Sequence, residues 1–157
     1  MQLRVKVLVL ASLLMAGSAY GQARSSLGFT LGVNKTFQEY DNQLHPGISL
    51  LGNIRVLNKW AVEPAISVHE VNEYVSARIS GKYYITNRAF ITAGPFFWVG
   101  NDFYNGVGTT ASAGYRVFNK PNYNFELSVH GNFDKFSYNS KPIAGLRAAY
   151  NFYFRKQ

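Results

Sequence analysis

The chain of 157 residues contains no cysteine. Disulfides, thiolate metal sites and a lipidated N-terminal cysteine are therefore excluded. Charge is scarce, at 15% of residues, and acidic charge is scarcer, with eight Asp and Glu against 16 Lys and Arg. The basic residues are scattered, with no run and no helical face, so the pattern does not fit a nucleic-acid partner. Past the N-terminus no segment reaches the ~18 apolar residues of a transmembrane helix. Nor does any segment show the period of an amphipathic helix.

What is present begins with a leader. Arg4 and Lys6 form a basic stretch before an apolar run of ten residues, 7–16. That run has the size of a signal h-region and is too short to span a membrane as a helix. Ala19-Tyr20-Gly21 puts small residues where a signal peptidase reads, so cleavage is expected after Gly21, with Ala23 the alternative. The expected division is residues 1–21 as signal peptide and 22–157 as one domain. Cleavage removes two basic residues and leaves 14 against 8 acidic, a net charge of +6. An exported chain of this size without disulfides needs another constraint, and a sheet closed on itself supplies one.

A period of two dominates the rest of the chain. In residues 60–69, Trp60, Val62, Pro64, Ile66 and Val68 take one face, against Ala61, Glu63, Ala65, Ser67 and His69. The same alternation runs through residues 26–34, 48–56, 74–85, 89–100, 107–118, 123–134 and 142–154, which makes eight strands. Their apolar-parity faces hold 45 residues and not one charge. An even spread of charge would have placed about seven there. The other parity is rich in Gly, Ser, Thr and Asn and carries Arg55, Glu63, Arg78, Lys82, Arg116, Glu126 and Arg147. Isolated mid-strand charges among small polar residues suit the cramped interior of an eight-stranded barrel, whereas soluble surfaces carry more Lys and Glu.

The connections agree. Asn58-Lys59, Thr86-Asn87-Arg88 and residues 119–122 read as tight turns, alternating with mostly longer segments at 36–46, 70–73, 100–106 and 135–141. Short turns at one end and longer loops at the other mark a transmembrane barrel. Trp60, Tyr83, Tyr123, Phe152 and Phe154 at the turn end, with Phe97 and Phe133 at the loop end, form two interfacial girdles. Pro64 and Pro95 fall inside strands and predict a bulge or a weakened ladder at each.

The segments Lys59-Trp60-Ala61-Val62-Glu63-Pro64, Lys82-Tyr83-Tyr84-Ile85 and Phe90-Ile91-Thr92-Ala93-Gly94-Pro95 resemble the outer-membrane β-barrel domain sequences common in Bacteroidetes. The whole mature chain resembles the small OmpA/OmpX-type barrels. Tyr150-Asn151-Phe152-Tyr153-Phe154 is similar to the C-terminal signal of the barrel assembly machinery, although Arg155-Lys156-Gln157 follows it. The resemblance implies an integral outer-membrane location and contact with outer-membrane lipid and lipopolysaccharide. It also implies the assembly machinery as a partner during insertion, a monomer, and no defined activity or cofactor.

Each candidate for chemistry has a plainer reading. His130 with Ser128, and His69 with Ser67, are the pairs that could serve as base and nucleophile of a lipid A-modifying enzyme. That motif wants serine two residues after histidine, where Asn132 and Val71 stand, and both histidines have inward parity. His45, His69 and His130 lie on separate segments without metal-ligand spacing. No catalytic, cofactor or metal residue is therefore expected. The interior charges read either as a narrow channel lining or as a salt-bridged plug, and eight strands favour the plug. Glu63 and Glu126 are expected to be its hubs, each beside an Arg or Lys of a neighbouring strand, with Tyr84, Asn53, Asn124 and Asn151 accepting the remaining donors. Phe37, Tyr40, Phe103, Tyr104, Phe136 and Tyr138 either form a partner-binding surface or cap the outer girdle. The expected role is envelope structure or surface interaction without catalysis.

Overall fold

The computed structural model describes residues 25–37, 44–69, 74–99, 105–134 and 143–154. The leader expected at 1–21 and most of the longer loops, with Tyr40, Phe103, Tyr104, Phe136 and Tyr138, lie outside the described residues. Eight strands follow in order: β1 (Ser26–Thr36), β2 (Leu44–Arg55), β3 (Trp60–His69), β4 (Tyr74–Tyr84), β5 (Ala89–Val99), β6 (Asn105–Asn119), β7 (Tyr123–Asp134) and β8 (Ile143–Tyr153). Each pairs antiparallel with the next, and β1 pairs with β8, so the sheet closes into a barrel with no free edge. Among the described residues there is no helix.

The uncharged parity faces out. Leu31, Ile48, Val68, Ile79, Val129 and Leu146 are all more than half exposed, Leu146 at 65%. In β3 the alternation is clean: Ala61, Glu63, Ala65 and Ser67 are buried between neighbours that are half-covered or exposed. The core of this molecule is its lumen, and most of what it buries there is polar.

Three local features shape the wall. Pro64 has no N–H, and the β2–β3 ladder passes from Leu51–Ala65 to Ile54–Val62 without pairing across it. Pro95 does the same to the β4–β5 ladder, which jumps from Arg78–Phe96 to Gly81–Ala93. Each proline keeps regular pairing on its other side, Pro64 with Ile79 and Pro95 with Thr109. The weakened ladders expected from sequence are thus confined to one side of each proline.

The third feature is a register shift between Arg116 and Phe118 on β6 against β7. It inserts Val117 as an extra residue, so Val117 and Phe118 are both exposed. Phe118 has inward parity by alternation, and the bulge turns it outward. There it stacks on Phe125 at 5.4 Å and meets Tyr123 at 5.9 Å. Tyr123, Tyr150 and Phe152 continue this belt of rings, with centroid spacings of 5.4 and 4.9 Å, and Trp60 meets Tyr83 at 4.8 Å. The turn-end girdle is therefore a set of touching rings. Strand β2 begins at Leu44, inside the segment expected to be loop, because Leu44 to Gly47 pair with the long β1.

Strands β5 and β6 fit by volume. Phe90, Phe96 and Trp98 lie directly opposite Gly114, Gly108 and Gly106. A Cβ on any of these glycines would fall 2.3–2.5 Å from the opposing ring.

Candidate functional site: the charged lumen

The period of two on a closed sheet sends the polar parity of all eight strands into one narrow space. Lys82 of β4 is its centre and is fully buried. Its Nζ donates to Glu126 Oε2 at 2.6 Å and to Glu63 Oε2 at 3.2 Å. Glu63 accepts from Arg78 Nη2 at 2.8 Å on its other oxygen. Glu126 accepts from Arg116 Nη2 at 3.1 Å and Nε at 3.2 Å on its Oε1. The result is a chain, Arg78–Glu63–Lys82–Glu126–Arg116, in which each carboxylate serves two cations. Its pairs join adjacent strands except one: Lys82 reaches Glu126 from β4 to β7, across the lumen.

Five of the seven charged residues expected inside are thus brought together, and two are not. Arg55 sits near the turn end, donates to the Asn58 carbonyl and lies 5.4 Å from the Tyr84 ring centre. Arg147 makes no ion pair among the described residues, and Arg78 acts on it as a like charge and Glu63 as an opposite one.

The uncharged polar residues behave differently from expectation. Asn53 donates to the Tyr84 hydroxyl at 3.0 Å, Asn151 to Asn124 at 2.8 Å, and Asn124 to the Tyr153 hydroxyl at 2.6 Å. They satisfy one another rather than the cations. Tyr84 contributes through its ring face, which lies 5.0 Å from Arg116 and 5.6 Å from Lys82. Phe90 does more, with Lys82 Nζ only 4.0 Å from its centre. Placing cations over ring faces is favourable where water is absent. Sequence reasoning missed Phe90 as a member of this site. Its inward parity, beside Lys82 on the neighbouring strand, was the available signal.

Towards the loop end, Ser49 and Ser67 hydroxyls bond at 2.8 Å, and His130 Nε2 meets Asn34 Oδ1 at 2.8 Å. His130 thus faces the lumen and not lipid. The His69 side chain is outside the described residues. Among the described residues no cluster of three metal-ligating side chains occurs.

No protein-family model matches the chain, and no curated protein matches it in sequence. Solved structures do match. Neisserial surface protein A superposes with a TM-score of 0.67 at 12% identity, covering 83% of this chain and 97% of that one. The N-terminal β-barrel domain of Pseudomonas aeruginosa OprF gives 0.53 at 17% identity, covering 83% and 100%. The fold is that of the small eight-stranded outer-membrane barrels. A de novo designed transmembrane β-barrel matches as well, with a TM-score of 0.54 at 14% identity over 83% and 98%. A designed barrel in the same company shows that the likeness speaks for fold alone.

Proposed function

We propose that the chain is exported by a signal peptide cleaved after Gly21, and that residues 22–157 form an integral outer-membrane barrel. We read its role as envelope structure or surface interaction without catalysis. The observation that carries this reading is the exposed outer face of a closed barrel, uncharged but for Lys35 at the loop end of β1, whose lumen is crossed by a fully buried lysine. Such a face is stable only against hydrocarbon. Its aromatic belt at the turn end fits an interface between hydrocarbon and headgroups. The segments around Trp60, Tyr83 and Phe90 support an affiliation with the Bacteroidetes barrel domains. Partners that follow are outer-membrane lipid, lipopolysaccharide and the assembly machinery, with the protein a monomer.

Two other readings are weaker. A lipid A-modifying enzyme needs a catalytic pair at the lipid face, and His130 is bonded to Asn34 within the barrel. A channel needs a continuous aqueous path, which the Glu63–Lys82–Glu126 bridge interrupts. Membrane fractionation tests the proposal. The protein should be recovered with the outer membrane and should migrate faster on a gel before heating than after. Recovery in the soluble periplasm would sink it. Altered acyl chains in lipid A from a deletion strain would favour the enzyme, and steady conductance in a planar bilayer the channel.

A further inference from the structure

The interior holds five cations and two carboxylates, and the two carboxylates are already used by Arg78, Lys82 and Arg116. Arg55 lies toward the turn-end mouth, partly exposed. Arg147, also partly exposed, has no ion pair among the described residues and faces inward. It lies on the loop-end side of the bridge, lining a cavity of about 30 Å³ together with Arg78. No carboxylate lines this cavity among the described residues. Arg78 is 7% exposed, and its Nε has no hydrogen-bond partner although its Nη2 holds Glu63. Two guanidinium groups thus share one small polar space, one with no ion pair and the other with an unsatisfied donor.

The backbone explains why space remains. Arg147 pairs across the ladder with Gly32, and Gly32 pairs with Gly47 on its other side. Two adjacent inward positions therefore carry no side chain. Thr30 and Thr110, whose hydroxyls can donate to an anion, and Asn132 also line it. A cation without an ion pair of its own in a lumen closed on one side by the Lys82 bridge is costly, and a counterion relieves that cost.

We propose that this cavity binds one small monatomic anion, of the halide class, between Arg147 and Arg78. Size sets the class. The space is small and its lining carries no carboxylate among the described residues, so a compact anion such as a halide fits it with the least rearrangement. The occupant neutralises Arg147 and fills the space left by Gly32 and Gly47, so it acts as a removable structural part of the barrel.

The experiment uses the mature protein, refolded in detergent with sodium gluconate as the only salt. Sodium bromide replaces gluconate at constant ionic strength while urea unfolding is followed. Crystals grown in bromide are examined by anomalous diffraction. The expected results are a saturable rise of the unfolding midpoint with bromide, none with sulfate, and an anomalous peak between the two guanidiniums. Arg147→Met should fold, since it removes a cation rather than strands one, and should lose both peak and bromide dependence. Arg147→Lys should keep the peak, with affinity about tenfold or more weaker for want of one charge-assisted contact. A lumen with water or a carboxylate of this chain at that place and no bromide overturns the proposal. So does a bromide response that Arg147→Met leaves intact.

Discussion

The two halves of the lumen solve the same problem differently. On the turn side of Lys82, most donors and acceptors are matched, Asn151 Oδ1 being the exception. Asn53, Tyr84, Asn124, Asn151 and Tyr153 bond among themselves, and Arg116 is held by Glu126 and the face of Tyr84. On the loop side, a cavity remains and Arg147 has no ionic partner among the described residues. Glycines report the contrast. A Cβ at Gly28, in the turn half, would stand 2.2 Å from Asn151 Oδ1 and 2.7 Å from the Tyr150 carbonyl. At Gly32, in the loop half, its nearest neighbour would be the Leu146 carbonyl at 3.2 Å. Other loop-side glycines are tight, Gly106 and Gly108 against Trp98 and Phe96 and Gly145 against Asn34 and Val33. The looseness therefore belongs to the cavity beside Arg147 and not to the whole half.

The largest effects should come from the bridge between the halves. Glu126→Gln and Glu63→Gln each leave buried cations short of a counter-charge and should cost roughly 3–5 kcal/mol at the upper end. Urea unfolding in detergent or lipid measures this, and wild-type stability in both would mean that the bridge is hydrated and dispensable. Next comes the glycine pair. Gly28→Ala should cost about 1–3 kcal/mol through overpacking, while Gly32→Ala should stay within about 0.5–1 kcal/mol of wild type, a small backbone gain offsetting a slight squeeze. Equal effects at the two glycines would erase the contrast. Tyr84→Phe removes the hydroxyl that Asn53 donates to and should cost about 1 kcal/mol, with the ring face retained. The smallest effect is expected in the loop half. Arg147→Met, measured in gluconate, should change stability by no more than about 1 kcal/mol in either direction. A loss as large as that of Glu126→Gln would show Arg147 to be structurally paired.

Much of this was legible in the sequence because the outer face obeys a rule with period two. The absence of charge on that parity named eight strands and their direction. The identity of both hubs was legible too, since two inward carboxylates among five inward cations leave few alternatives. What was not legible depends on distances around the barrel. The Lys82–Glu126 contact joins strands that are not neighbours, so it follows from closure and stagger, not from any local pattern. The bulge at Val117 was hidden because Val117 and Phe118 are both apolar, and either can continue the outer face. The extension of β2 to Leu44 was hidden because its partner β1 dictates it, through residues that otherwise favour loops. The service of Tyr84 through its ring rather than its hydroxyl needed the positions of three cations at once.

The pairing of Phe90, Phe96 and Trp98 with glycines has a consequence for assembly. Inserting a strand one residue out of step turns its apolar side chains inward, an error that polarity detects. A slip of two residues keeps every side chain on its proper face, and polarity is blind to it. Volume is not. Such a slip would set Phe90 against Ser112 in one direction or Arg116 in the other, taking it off the glycine that makes room for it. Three aromatic-to-glycine matches along one seam act as a code that only one even-numbered alignment satisfies. The β5–β6 seam is thus a parity check of second order, proofreading the errors that the alternating pattern of the chain lets through.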